Sequence, residues 1–201
     1  MNNHLSQPLA NPAPLGLMGF GMTTLLFNIS NAGFFPVSAM LMTMGIFYGG
    51  LAQIIAGMLE FRRGNTFGVM AFISYGLFWW TLIGLMMFPR LGWADPTPDG
   101  FMGCYSVAWG LMSLGFLICA LKMDKLTRFV FTMVVVLYSL LALQSFTGSE
   151  LIGRLAGWDG IVVGLSAMYQ ATALVVNEVW GREVLPMGSA PAENKIALKA
   201  A

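Results

Sequence analysis

The stretch Gly64-Asn-Thr-Phe-Gly-Val-Met-Ala-Phe-Ile-Ser-Tyr-Gly-Leu-Phe-Trp-Trp-Thr-Leu-Ile-Gly-Leu-Met-Met-Phe-Pro89 contains no Asp, Glu, Lys or Arg. A helix needs about 20 mostly apolar residues to cross the hydrocarbon core of a bilayer, and this stretch is long enough. A strand of a membrane barrel would instead alternate polar and apolar residues over about ten positions. The stretch shows no such alternation, and it therefore predicts a transmembrane α-helix.

Charged residues are also missing from 5–59, 100–121, 129–149 and 160–177. The first of these runs is long enough for two helices, and the turn-rich stretch Asn28-Ile-Ser-Asn-Ala-Gly-Phe-Phe-Pro36 divides it. We therefore predict an all-α integral membrane protein with six transmembrane helices arranged as three hairpins. The predicted spans are 13–30, 36–60, 65–88, 101–122, 127–147 and 158–179.

The composition of the 201 residues is that of a membrane protein. Apolar residues make up 57% and charged residues only 9%, whereas about 25% charged residues is usual in soluble domains. So few charges cannot cover the surface of a water-soluble protein, and the mean hydropathy is +0.74. A soluble enzyme is therefore excluded. The net charge of +1 argues against nucleic acid as a partner, because binding to phosphates needs a basic surface. Membrane lipid is the expected surrounding.

Residue types that bind metals or carry out catalysis are scarce. Two cysteines and one histidine leave little for a zinc site or a disulfide framework. The sequence contains no HExxH motif and no P-loop, and it offers no serine–histidine–aspartate arrangement. We therefore expect no cofactor, no metal and no catalytic residues, and we predict that the protein is not an enzyme.

Lysines and arginines predict the orientation, because short cytoplasmic loops are enriched in them. With the N-terminus in the cytoplasm, every basic residue except Arg90 and Arg154 lies on the cytoplasmic side. Both termini are therefore predicted to be cytoplasmic. We expect an N-terminal arm at 1–11, one transmembrane domain at 12–182 and a tail at 183–201, with disorder after Pro186. The first apolar run lacks the basic start of a signal peptide and is predicted to stay in the mature protein.

The middle of the membrane lies nine or ten residues inward from the cytoplasmic end of each helix, at about 1.5 Å per residue. The count reaches Phe20, Tyr75 and Val134 on the outgoing helices and Gln53, Ser113 and Thr172 on the returning helices. At this level the sequence places no Asp, Glu, Lys or Arg, which argues against a relay of carboxylates. Two interpretations of Gln53, Ser113 and Thr172 stay open. Their side chains form hydrogen bonds to neighbouring helices, or they line a passage.

Two pairs of glycines stand four residues apart, Gly45 with Gly49 and Gly160 with Gly164. Small residues at this spacing let two helices approach each other closely. They predict tight packing of the second and sixth spans, either within one subunit or between subunits.

The segment Asn11-Pro-Ala-Pro-Leu-Gly-Leu-Met-Gly-Phe20 begins the first helix. Asn is a favoured N-cap, and Pro is tolerated in the first turn, where its N–H is not needed. We therefore expect Asn11 to cap the helix at the cytoplasmic face. The unpaired N–H groups of a first turn attract anions. Two interpretations stay open: an ordinary capped transmembrane helix, or an anion site.

This segment also resembles the hallmark of the acetate uptake transporter family, which includes the succinate–acetate permeases. The resemblance extends over most of the chain. Its other parts are Gly45-Ile-Phe-Tyr-Gly-Gly-Leu-Ala-Gln53, Arg63-Gly-Asn-Thr-Phe-Gly68, Ser74-Tyr-Gly76, Ala156-Gly-Trp158 and Asn177-Glu178.

The resemblance implies a plasma-membrane transporter of acetate and related small carboxylates, with succinate accepted by some members. It also implies a homohexamer in which each subunit has its own pathway, working as a channel or by proton symport. A narrow constriction of Phe, Tyr and Leu is associated with the family. By the resemblance these positions fall on Phe20, Tyr75 and Val134, and the valine is a departure that we expect to widen the gap or alter selectivity.

We hypothesise that the substrate passes a dry ring at Phe20, Tyr75 and Val134 as the neutral acid, because removing a carboxylate from water is expensive. The expected neutral groups that contact the substrate are Asn11, Thr23, Gln53, Ser113 and Thr172. The nearest alternative is a urea or amide channel, which would also use neutral donors. An intramembrane enzyme and a structural membrane protein or receptor are the remaining alternatives.

Overall fold

The computed structural model describes residues 9–188, and all of its regular structure is helical. The residues outside this range include His4 and most of the predicted tail. The helices are α1 Ala13–Asn31, α2 Ala39–Thr43, a π-helix Met44–Ala52 (the π-segment), α3 Gln53–Arg62, α4 Thr66–Arg90, α5 Asp99–Ala120, α6 Lys125–Thr147 and α7 Glu150–Trp180. Because α2, the π-segment and α3 are continuous, the described chain has six helices long and apolar enough to cross a membrane. The predicted all-α membrane fold is confirmed.

Helix α7 begins at Glu150, eight residues before the predicted start at 158. The predicted span was drawn around the uncharged run 160–177, and the helix extends beyond that run past the charges of Asp159, Arg154 and Glu150. A left-handed Gly148 ends α6, and the Ser149 hydroxyl then accepts the Ile152 N–H at 3.5 Å to begin α7. An acidic residue in a first turn is favourable, so these charges do not prevent the helix.

The start of α1 also differs in detail from the prediction. The helix begins at Ala13, and Pro12 occupies the N-cap position. Asn11 lies one residue earlier, where its side-chain oxygen accepts the Ala13 N–H at 3.2 Å and a hydrogen bond from the Arg63 guanidinium. The Asn11 amide therefore links the start of α1 to the connection after α3.

Helix α1 packs lengthwise against α7, and glycines of α7 make this possible. A Cβ atom added at Gly164 would lie 2.6 Å from the Leu25 nitrogen, and one at Gly160 would lie 2.1 Å from Cγ of Asn28. The close approach predicted for this glycine pair is thus present within one subunit. Since the first and last spans meet, the bundle closes on itself, with α3 against α4 and α5 against α6.

The start of the predicted tail folds back onto the bundle. The Asn177 side-chain oxygen accepts the N–H groups of Val184 and Leu185 at 2.7 and 2.9 Å. The Gly188 and Met187 carbonyls accept the N–H groups of Lys125 and Leu126 at the start of α6. The described part of the tail therefore supplies acceptors to N–H groups that no turn of α6 can pair.

Candidate substrate pathway

Two cavities lie end to end inside the bundle and share two lining residues, Phe20 and Val134. The cavity that reaches Asn11 and Arg63 has a volume of about 340 Å³, and we call it the Arg63 cavity. The cavity that reaches Asn28 has a volume of about 260 Å³, and we call it the Asn28 cavity. All six membrane-spanning helices contribute lining residues, and the two cavities form a passage that is interrupted at one level.

The interruption is formed by Phe20, Tyr75 and Val134, which are 9, 4 and 2% exposed. The ring centroids of Phe20 and Tyr75 lie 5.6 Å apart. Tyr75 lines the Arg63 cavity, whereas the other two residues line both cavities. The three residues that the depth count placed at one level therefore come together inside the protein, between the two cavities.

A shell of aromatic rings surrounds Tyr75. Its ring lies 5.9 Å from that of Phe116 and 6.4 Å from that of Phe131, and those two rings lie 5.9 Å apart. Tilted aromatic pairs at this distance are mutually attractive. The packing therefore limits the positions that the Tyr75 ring can take.

Ser113 orients Tyr75 and lines neither cavity. The two hydroxyl oxygens lie 2.8 Å apart, and the Ser113 hydroxyl donates to the Trp109 carbonyl at 2.7 Å. Because a serine hydroxyl has one proton, Tyr75 is the donor in the first bond. The Tyr75 hydroxyl is thereby paired with protein, and the ring presents its apolar surface to the interruption.

Gln53 is the first residue of α3, is 1% exposed and lines the Arg63 cavity. Its buried Oε1 has no hydrogen-bond partner among residues 9–188. Asn11 lines the same cavity. Of the predicted substrate-contacting residues, these two therefore lie where a molecule in the passage can reach them.

Thr23 and Thr172 lie elsewhere, contrary to their expected position on the passage. The Thr23 hydroxyl faces the π-segment, donating to the Met44 carbonyl at 3.5 Å. The Thr172 hydroxyl donates to the Met168 carbonyl at 2.9 Å on an exposed face of α7. The helix rotation places both side chains outside the two cavities, so neither is positioned to contact the substrate there.

Sequence reasoning missed Glu60, which lines the Arg63 cavity and is 1% exposed. Its Oε2 accepts the Asn65 amide at 2.9 Å, and its Oε1 has no partner within the described chain. Gly68 makes room for the side chain, since a Cβ there would lie 2.8 Å from Cγ of Glu60. Its place at the end of an apolar run carries no sign of burial, and only the packing shows that it is buried.

A chain of hydrogen-bonded side chains at the Arg63 cavity joins α6 to α7. The Gln170 amide donates to the Thr127 hydroxyl, which donates to the Asp124 carboxylate at 2.7 Å. Asp124 also caps α6 by accepting the Thr127 N–H at 2.8 Å. The depth count selected Thr172, although Gln170, two residues earlier, is the residue that turns inward.

The Asn28 cavity has an uncharged lining within the described part of the chain. The Asn28 amide donates to the Thr24 carbonyl at 2.9 Å and its oxygen accepts from Asn31 at 3.1 Å. The buried Thr24 hydroxyl and Trp79 indole nitrogen have no partners between residues 9 and 188. This cavity therefore offers neutral polar groups on largely apolar walls.

The chain is similar to known proteins in sequence and in fold. The chain is 49% identical over 180 residues to the "Succinate-acetate/proton symporter SatP" of Escherichia coli (strain K12), covering 90% of this chain and 96% of that protein. It is 36% identical to the "Ammonia transport outward protein 2" of Saccharomyces cerevisiae, over 82% of this chain and 61% of that protein.

A solved structure titled "Structure of the bacterial acetate channel SatP" matches with a TM-score of 0.89 and 49% identity. The match covers 90% of this chain and 100% of the chain in that structure. The sequence pattern of the GPR1/FUN34/yaaH family matches residues 1–186. This multi-pass membrane protein therefore belongs to the GPR1/FUN34/yaaH family.

Proposed function

We propose that the protein carries acetate and related small carboxylates across the plasma membrane, along the Arg63 cavity, the constriction and the Asn28 cavity. One observation carries the proposal: the two cavities meet at Phe20 and Val134, beside Tyr75, and the described residues place no Asp, Glu, Lys or Arg at that junction. The names of the E. coli relative and of the solved channel support acetate and succinate as the substrate class. Transport, and not catalysis, is the activity.

The substrate crosses the constriction as the neutral acid. Stripping water from a bare carboxylate there costs several kcal/mol or more, because no cation compensates for the lost hydration. The proton therefore travels on the substrate, and coupling of transport to the proton gradient needs no side chain at the constriction to gain or lose a proton. This mechanism is compatible with both channel-like and symporter behaviour.

The Arg63 cavity receives the substrate at its wider end. The guanidinium of Arg63 attracts the carboxylate, and Asn11 holds that guanidinium in place. Glu60 and Gln53 follow on α3, seven residues or about 10.5 Å apart along the helix axis. The partnerless Glu60 Oε1 accepts the O–H of a neutral acid, and Gln53 contacts the acid before the constriction.

Each subunit of a homohexamer has its own passage, because the two cavities and their constriction are built from one chain. Both termini face the cytoplasm, which places the Arg63 cavity on the cytoplasmic side. An even number of spans requires the termini to share a side, and the enrichment of basic residues there selects the cytoplasm.

Reconstitution into liposomes tests the proposal. Influx of labelled acetate is measured with and without an imposed pH gradient, against a panel of unlabelled formate, propionate, lactate, succinate and urea. We expect influx driven by an acidic exterior and competition by carboxylates. Competition by urea with no effect of the carboxylates would establish the amide-channel alternative, and absence of any flux would establish a structural or receptor role.

A further inference from the structure

The second membrane span contains nine residues of π-helix between two α-helical parts, at Met44–Ala52. The π-helix has wider turns, with i→i+5 hydrogen bonds, and such segments occur frequently at functional sites. Here it ends immediately before Gln53, the residue that the proposed function places next to the constriction. The geometry of the π-segment therefore decides where Gln53 points.

The buried face of the span shows this dependence. Leu41, Gly45, Gly49 and Gln53 are all buried and stand four residues apart. In an uninterrupted α-helix each residue turns the chain by about 100°, so Leu41 and Gln53 would point about 120° apart. The wider turns of the π-segment keep them on one face. Gly49 then lies against Thr23 and Trp79 while Gln53 faces the Arg63 cavity.

Trp80 on α4 provides the contact that holds the π-segment. Its indole N–H donates to the Ile46 carbonyl at 2.9 Å. A Cβ at Gly50 would lie 2.2 Å from the same indole nitrogen, so glycine at this position admits the ring. Gly76, one turn away on α4, brings the helix close enough that its own added Cβ would lie 2.8 Å from the Gly50 carbonyl oxygen.

We propose that Trp80 is a positioning residue whose hydrogen bond to Ile46 maintains the π-segment and so directs Gln53 into the passage. Trp80 is 43% exposed and lies outside both cavities, so it acts on the substrate only through Gln53. The part of this inference that concerns transport rests on the proposed function. The part that concerns the helix register does not.

Thiol labelling tests the register directly. The full-length chain carries Cys104→Ser and Cys119→Ser, which remove the two exposed free cysteines, together with Ala52→Cys, Gln53→Cys or Ile54→Cys. A charged, membrane-impermeant methanethiosulfonate reports which position faces the aqueous cavity. We expect the fastest reaction at position 53 in the presence of Trp80. In Trp80→Phe the reaction at 53 should fall by about threefold to tenfold, the effect of one lost hydrogen bond, and rise at a neighbouring position.

Two further variants sharpen this test. Gly50→Ala displaces the Trp80 indole by adding a methyl group on the π-segment. It should also lower the reaction rate at position 53 and raise it at a neighbouring position. Trp158→Phe removes an indole from an exposed position on α7 where the ring contacts Phe34, and it should leave the pattern unchanged. An unchanged pattern in Trp80→Phe, or an equal change in Trp158→Phe, overturns the proposal.

Acetate flux supplies the second readout. Trp80→Phe should raise the half-saturation concentration by about threefold to tenfold and change the maximal rate less. In a Gln53→Ala background, Trp80→Phe should not raise the half-saturation concentration further. If the two substitutions instead raised it by independent factors that multiply, the role of Trp80 as a positioning residue for Gln53 would be overturned. A shifted thiol pattern in a chain that carries no acetate would uphold the role of Trp80 in the register and reject the proposed function. The reverse result would reject the role and keep the function.

Discussion

The Tyr75 hydroxyl donates a hydrogen bond to Ser113 Oγ over 2.8 Å, and the Ser113 hydroxyl donates a hydrogen bond to the Trp109 carbonyl at 2.7 Å. This chain joins α4 to α5 behind the constriction. It turns the polar end of Tyr75 away from the point where Phe20 and Val134 separate the two cavities. The one hydroxyl group at the constriction therefore already has a hydrogen-bond partner in the protein.

Ser113→Ala is therefore expected to release the Tyr75 ring without touching the passage itself. The lost hydrogen bond destabilises the ring position by about 0.5–1.5 kcal/mol, and discrimination between acetate and larger acids should weaken. The measurement is the ratio of acetate to butyrate flux in proteoliposomes. The control is Ser139→Ala, because the Ser139 hydroxyl donates the same kind of hydrogen bond to the Val135 carbonyl of α6 at 2.8 Å and lines neither cavity. An equal effect of both variants would contradict the role of the Ser113–Tyr75 pair.

Phe20→Ala should open the constriction and increase flux or admit larger acids. Val134→Leu adds one methylene group at the same junction and should have the opposite effect. Truncating a buried Phe destabilises proteins by about 3–5 kcal/mol, so Phe20→Leu serves as a milder variant. Initial rates are compared for formate, acetate and butyrate at equal amounts of folded protein. Unchanged size selectivity in well-folded Phe20 variants would show that these residues do not form a gate.

Glu60→Gln combined with Glu178→Gln should leave the pH dependence of uptake largely intact. Glu60 is buried beside the passage, whereas Glu178 is exposed near the end of α7. In the proposed mechanism the substrate itself carries the proton, so acidification still raises uptake by raising the fraction of neutral acid. Initial uptake rates are measured over a series of external pH values. Loss of the pH dependence, with folding preserved, would establish a side-chain proton relay in place of this mechanism.

Gly160→Ala should destabilise the fold at the contact between α1 and α7. The new Cβ would lie 2.1 Å from Cγ of Asn28, and overpacking of this kind costs about 1–3 kcal/mol. Gly115→Ala on α5 is the control. Apart from the backbone of its own helix and its two chain neighbours, no atom of the described chain lies within 4 Å of the added Cβ. That variant should be neutral or stabilised by up to about 1 kcal/mol. Thermal unfolding in detergent distinguishes the two. Equal midpoints would contradict the packing argument.

The depth of each constriction residue could be predicted from the sequence. Phe20, Tyr75 and Val134 were found by counting along charge-free runs, because an α-helix rises by about 1.5 Å at every residue. The direction in which a side chain points could not be predicted in the same way. Gln170 and Thr172 are two residues apart and point about 200° apart around α7, and apolar residues surround both, so no amphipathic pattern selected the inward one.

The sequence alone determined that this chain is a six-helix membrane protein and that Phe20, Tyr75 and Val134 lie at one depth, because long uncharged runs and a constant helical rise leave few alternatives. Only the tertiary structure decided which polar groups reach the passage. Helix rotation depends on contacts between distant residues: Gly160 against Asn28 sets α7, and Trp80 against Ile46 sets the second span. Such contacts leave no periodic trace in a sequence that is apolar on every side.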